Sequence, residues 1–156
     1  MRAAVYSFSL RGAELSKKVG ELLHTLGYEV QVETLPKYAE VAKLPAMVGN
    51  HYQVTEEAFK NCQAIVYVGS VGIAVRSIAP FLKSKLVDPA IISVDERGNF
   101  IIPLVAGHIG GSNELARVLA SHIGGQACVT TATDGFSNSD DFLQIKYRWW
   151  TYRYKL

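Results

Sequence analysis

The chain is poor in the residues that would tie it to an extracellular scaffold, a membrane or a polyanion. Two cysteines, Cys62 and Cys128, stand far apart in 156 residues. They offer neither a disulfide framework nor metal-ligand spacing. Both sit beside apolar runs and are expected as buried, reduced thiols of a cytoplasmic protein. No apolar run approaches the roughly 20 residues that cross a bilayer, and Met1-Arg2-Ala3-Ala4-Val5 carries no leader cleavage pattern. A formal charge of +2 gives no electrostatic argument for nucleic acid. With 49% hydrophobic and 19% charged residues, the chain has the material for one packed domain and none of the signature of disorder.

What is present is an alternation of short apolar runs with helical stripes. Strands are predicted at 3–7, 29–34, 64–68, 91–95, 100–104 and 127–130, and helices at 13–26, 72–85 and 113–123. Leu15, Val19, Leu22, Leu23 and Leu26 mark the first helix, and Gly27 ends it. Glu29 to Leu35 alternates polar and apolar residues, the pattern of an edge strand. Residues 36–51 read as a loop with a helical turn, and Thr55 reads as the cap of a helix running to about Asn61. Glu96-Arg97-Gly98-Asn99 reads as a hairpin loop, which makes the sheet mixed. The expectation is an α/β fold: a mixed, mainly parallel sheet flanked by helices in three α/β/α layers, Rossmann-like.

Two glycine loops carry the chemistry. Ala64–Val68 runs into Gly69-Ser70-Val71-Gly72 and then a helix that stops near Pro80. A strand, a glycine turn and a helix aim free N–H groups and a positive dipole end at one point, which suits an anion. Arg76, one turn into that helix, adds a forked cation. Gly107, Gly110 and Gly111 lead into the helix at Asn113 in the same way, with Ser112 or Asn113 as cap. Placed at one sheet edge, the two loops would form a wide anion-friendly cleft. Neither has the lysine of a nucleotide P-loop or the spacing of a dinucleotide fingerprint, which argues against a compact nucleotide. Glycines alone also serve simply as tight turns.

The runs G-S-V-G-I-A-V-R-S-I-A-P (69–80), D-P-A (88–90) followed by V-D-E-R-G (94–98), and G-H-I-G-G-S-N-E-L (107–115) are long and unusual. Gly69 to Asp134 resembles the N-terminal region of the cobalt-precorrin-5A hydrolase (CbiG) family of anaerobic cobalamin synthesis. The clearest match is 52–134, and the resemblance extends loosely back to residue 1. It implies opening of a δ-lactone on an acidic cobalt-corrinoid, with loss of acetaldehyde. The cobalt belongs to the substrate, so no cofactor or metal site of the chain itself is expected.

Such a reaction needs a base for water, an oxyanion site and an acid for the leaving oxygen. His108 is the candidate base, its ordinary pKa lying near neutrality. Glu114, Asp95 and Asp134 are candidate acids or orienting groups. As a bland alternative, His108 is a backbone-bonded loop histidine, Glu114 complements a helix dipole and Asn113 is a cap. The substrate-binding set under the resemblance is Gly69, Ser70, Gly72, Arg76, Gly107, Gly110, Gly111, Asn113, Thr131 and Thr133. Residues 135–156 depart from the family, whose further C-terminal domain they do not match, and they are expected to be dispensable for folding. Two alternatives stay open. One is a non-catalytic corrinoid-binding module that works with a separate C-terminal partner chain. The other is a single-strand nucleic-acid binder using Lys146, Arg148, Arg153 and Lys155 among Trp149, Trp150 and tyrosines. No membrane partner is expected.

Overall fold

The structure is a computed structural model that describes residues 1–107 and 109–131. Six strands form one sheet: β1 (Arg2–Ser7), β2 (Glu29–Thr34), β3 (Ala64–Val68), β4 (Ala90–Val94), β5 (Phe100–Val105) and β6 (Gln126–Ala127). Their spatial order is β2-β1-β3-β4-β5-β6. The first four are parallel; β5 turns back against β4 through the hairpin at 95–99, and β6 runs parallel to β5. The mixed, mostly parallel sheet, the hairpin and the edge position of β2 are as expected from the sequence.

Strands β1, β3 and β4 are apolar along their length because helices cover both faces. On one face α1 (Leu10–Thr25) and α5 (Ser112–Ile123) lay Val19, Leu23, Leu115 and Leu119 over Val5, Val66, Ile92 and Ile101. On the other, α3 (His51–Asn61) and α4 (Val71–Ile78) lay Val54, Ala58, Ala74 and Ile78 over Tyr6, Ile65, Tyr67 and Ile91. Among the described residues these are the three layers of an α/β/α fold.

Several boundaries differ from the sequence expectation, each for a local reason. Residues 36–42 form a helix, α2 (Pro36–Ala42), with Pro36 at its start, where a missing N–H costs nothing; Lys43 closes it at φ 53°. Helix α3 begins at His51 and not at Thr55. Asn50 accepts from the amides of Tyr52 and Gln53 (3.0 and 3.1 Å), and the Gln53 side chain accepts from the Asn50 amide (2.9 Å), a reciprocal capping box. Thr55 is buried inside the helix, its hydroxyl 2.7 Å from that of Tyr67. Helix α4 ends at Ile78 in a 3₁₀ turn (Ala79–Phe81), well before residue 85, because Pro80 cannot donate to the ladder. Strand β6 is two residues long, where four were expected. Cys62 and Cys128 are half-buried free thiols, and burial pushes the Cys62 thiol up. No helix among the described residues is long and apolar enough to cross a membrane.

Candidate functional site at the carboxyl edge of the sheet

The strand order reverses direction between β1 and β3. Each feeds a helix at its carboxyl end, α1 on one face and α4 on the other. This is the switch point at which open α/β sheets form a ligand crevice. At the end of β1, Ser9 caps α1: its Oγ accepts from the Gly12 amide at 3.0 Å. At the end of β3, Ser70 caps α4, accepting from the Ile73 amide at 3.4 Å. The N–H groups of Leu10 and Arg11, and of Ser70, Val71 and Gly72, find no acceptor among the described residues. They belong to exposed residues. Two helix N-termini thus present unsatisfied donors at one crevice.

The glycines here are steric. A Cβ on Gly12 would stand 3.1 Å from the Val68 carbonyl oxygen, so α1 and the end of β3 approach backbone to backbone. A Cβ on Gly69 would press on Phe8 at 3.2 Å.

Glu96, in the hairpin after β4, reaches across the end of β3. Ser9 Oγ donates to Glu96 Oε2 at 2.5 Å. An exposed carboxylate therefore sits at the mouth of the crevice, beside the α1 N-terminus. Sequence reasoning gave Ser9 no role and read Glu96 only as part of a hairpin loop. The readable signals were the serine three residues before Gly12 and the glutamate within the V-D-E-R-G run. Asp95, a candidate acid, is committed elsewhere: it accepts from the Arg97 and Phe100 amides (3.1 and 2.6 Å) and holds the hairpin shut.

Arg76 is exposed and folds back along α4, donating from Nη1 to the Gly72 carbonyl at 3.3 Å. Because α4 is short, Arg76 lies in its last turn and not its first. Its Cα position therefore suits the helix dipole, while the backward lean common to helical side chains carries the guanidinium to the first turn.

The second glycine loop does not share this crevice. Val105 pairs with Ile91, which pairs with Ile65, near the start of β3. Chain leaving β5 therefore emerges at the amino edge, about five residues of rise (roughly 17 Å) plus two strand spacings from Gly69. The expected common cleft is overturned by the antiparallel run of β5. The amides also differ in use. Those of Ser112 and Asn113 donate to the carbonyls of Ala106 and Gly107, each at 3.2 Å. The cap of α5 is Gly111 at φ 77°, not Ser112 or Asn113. Asn113 donates from Nδ2 to Thr131 Oγ1 at 2.6 Å and packs so closely on Gly107 that a Cβ there would overlap it. Ala106 holds φ 58°, a left-handed conformation that is strained for a residue with a Cβ.

Glu114, half-buried in the first turn of α5, accepts from Arg117 Nη1 at 3.1 Å. Gly107, Gly110, Gly111, Asn113, Thr131 and Glu114 thus gather at the amino edge, while Gly69, Ser70, Gly72 and Arg76 gather at the carboxyl edge. His108, Thr133, Asp134 and the tail from Gly135 lie outside the described residues.

Cobalt-precorrin-5A hydrolase of Salmonella typhimurium is 35% identical over 131 residues, covering 84% of this chain and 36% of that protein. The enzyme of the same name from Priestia megaterium is 28% identical over 131 residues, covering 84% and 35%. This chain spans about a third of the length of these curated relatives. A crystal structure of a cobalamin biosynthesis protein G homologue from Sulfolobus solfataricus superposes with a TM-score of 0.64 at 24% identity. It covers 94% of this chain and 45% of its own, and it shows the fold. The model of the family described as cobalamin synthesis G N-terminal (CbiG_N) matches residues 53–134. That interval is more than half of the chain and includes β3, α4, the β4–β5 hairpin and both glycine loops, so the chain belongs to the cobalamin synthesis G N-terminal family.

Proposed function

We propose that this chain supplies the N-terminal part of a cobalt-precorrin-5A hydrolase and holds the acidic corrinoid at the carboxyl edge of its sheet. The observation that carries this is the convergence of the α1 and α4 N-termini, with five unsatisfied amides, at the β1/β3 switch point. A corrinoid hung with acetate and propionate groups is a broad polyanion. Helix N-termini and an exposed arginine are suited to its carboxylates.

The reaction adds water to the lactone carbonyl. The acyl C–O bond breaks to leave a carboxylate and an alcohol; the alcohol then loses its proton as its carbon–carbon bond to the macrocycle breaks, so that acetaldehyde departs and the macrocycle keeps the electron pair and takes up a proton. At this edge Glu96 is the carboxylate placed to take the proton of water. The free amides of Ser70, Val71 and Gly72 are the donors for an oxyanion. The amino-edge loop, where the amides of Ser112 and Asn113 are already taken by the carbonyls of Ala106 and Gly107, is a positioning element.

Acetaldehyde release from cobalt-precorrin-5A tests the assignment, with and without the remaining two thirds of the family protein added as a separate chain. Glu96→Gln is expected to abolish turnover with little change in affinity. Arg76→Lys keeps charge but loses the fork, and is expected to weaken binding roughly tenfold, about 1.4 kcal/mol. If His108→Ala or Glu114→Gln abolishes turnover while Glu96→Gln does not, the chemistry belongs to the amino edge.

A further inference from the structure

Away from both glycine loops lies a cavity of about 510 Å³ between α3 and the polar face of β2. Its origin is in the sequence of β2. Glu29, Gln31 and Glu33 alternate with Val30 and Val32; the valines pack under α1, which leaves the polar residues on the α3 side. The floor and rim are mixed, with Val30, Val48, Val54 and Ala58 among the polar groups.

The charge lining it is unbalanced. Glu29, Glu33 and Glu57 face it against a single cation, Arg2, and Arg2 is already paired with Glu29 (Nε to Oε2, 3.0 Å). Glu57 accepts from Asn61 Nδ2 at 2.5 Å. Glu33 is the unusual one. It is 6% exposed, and among the described residues its carboxylate has one partner, the Gln31 side-chain amide, which donates to Oε1. Among the described residues its Oε2 has no partner and is not sealed from solvent, so it opens on the cavity. A carboxylate whose free oxygen faces a cavity and meets no counterion among the described residues is suited to a cation. Among the described residues no three acidic, His or Cys side chains cluster closely enough to hold a metal ion. The volume falls in the range of small-molecule sites.

We infer that this cavity binds a small organic cation, an alkylammonium whose charge meets Glu33 Oε2 and whose aliphatic stem lies on Val54 and Ala58. The site is separate from the proposed corrinoid crevice and opposite to it in charge preference, since its carboxylates repel a polyanion.

The test is an NMR titration of the full chain with n-butylammonium chloride at fixed ionic strength, following the side-chain amides of Gln31, Gln53 and Asn61. Butanol and sodium butyrate serve as neutral and anionic controls. Saturable shifts are expected with butylammonium alone. Glu33→Gln is expected to weaken binding at least tenfold. Val48→Arg, at an exposed rim position that leaves the core intact, is expected to do the same by tethering a cation at the mouth. Glu56→Gln, on the solvent side of α3, is expected to leave binding unchanged. The inference is overturned if butylammonium produces no saturable shift, if butanol binds as well, or if Glu33→Gln and Val48→Arg both bind like the wild type.

Discussion

Replacing Ser9 separates two jobs held by one hydroxyl. It caps α1 through the Gly12 amide, and it donates to Glu96. Gly12 is buried, so an amide released by Ser9→Ala cannot turn to water. The loss of this cap therefore belongs in the upper half of the usual range, about 1–2 kcal/mol. Glu96 is exposed and regains water when its partner goes, so its coupling to Ser9 is smaller, about 0.5–1 kcal/mol. Urea unfolding of Ser9→Ala, Glu96→Gln and the double variant closes a thermodynamic cycle. The double variant is expected to lose less than the two single losses combined, by that coupling. Ser9→Asp sharpens the test: it retains a capping oxygen but sets two carboxylates together, so it should be destabilised alone and recover when combined with Glu96→Gln. Additivity within about 0.3 kcal/mol for both pairs would show that Glu96 does not reach α1, and the carboxylate would be removed from the proposed crevice.

Burial pushes the Tyr28 phenol up from 10.0 to about 12, and burial also raises Tyr6 and Tyr67. Stability from a raised phenol is complete below the unfolded value near 10 and is lost as pH climbs through the folded one. For Tyr28 alone the loss is about 2.3 kcal/mol at pH 12 and approaches about 2.7 kcal/mol above it. The part of the tyrosinate absorbance that Tyr28→Phe removes should therefore rise together with loss of helical circular dichroism above pH 10; that part appearing in a still-folded protein near pH 10 would contradict it. Asn50→Ala removes the capping box of α3 and should cost about 1 kcal/mol in urea unfolding, whereas Thr55→Ser, at the position first taken as the cap, should leave helix content unchanged. Gly110→Ala would set a Cβ against the Cβ of Ala106 and 2.7 Å from its carbonyl oxygen, costing about 2–3 kcal/mol, with Ala106→Gly recovering part of the thermal midpoint.

The regular elements were legible where one periodicity dominated. The uninterrupted apolar runs of β1, β3 and β4 declare burial on both faces, and the leucine stripe of α1 declares its helix. The start of α3 was misread because single polar contacts set it. Asn50 and Gln53 cap α3 in a form that does not resemble the usual Ser/Thr…Glu pair, and Thr55, a plausible cap by type, is consumed by a bond to Tyr67 from a distant strand. The acidic group at the crevice was hidden for the same reason. Glu96 lies 87 residues from Ser9, and nothing in local sequence says that a hairpin after β4 will lean across β3 to the start of α1.

The placement of the two glycine loops is different, because the information was present. Glu96-Arg97-Gly98-Asn99 announces a hairpin, and a hairpin reverses the chain. Whatever follows β5 must then leave the sheet at the edge opposite to whatever follows β3. A common cleft for Gly69–Gly72 and Gly107–Gly111 contradicts that reversal even before any coordinates are known. Reversal also separates the amides by use. The α1 and α4 helices follow parallel strands directly, and their first amides meet no returning chain, so they remain open. The α5 helix follows a reversed strand and a turn through Ala106 at positive φ, and that turn delivers the carbonyls of Ala106 and Gly107 to the amides of Ser112 and Asn113. The first amides of α1 and α4 thus stay open, whereas those of Ser112 and Asn113 close on their own turn, although both loops are written as strand, glycines, helix.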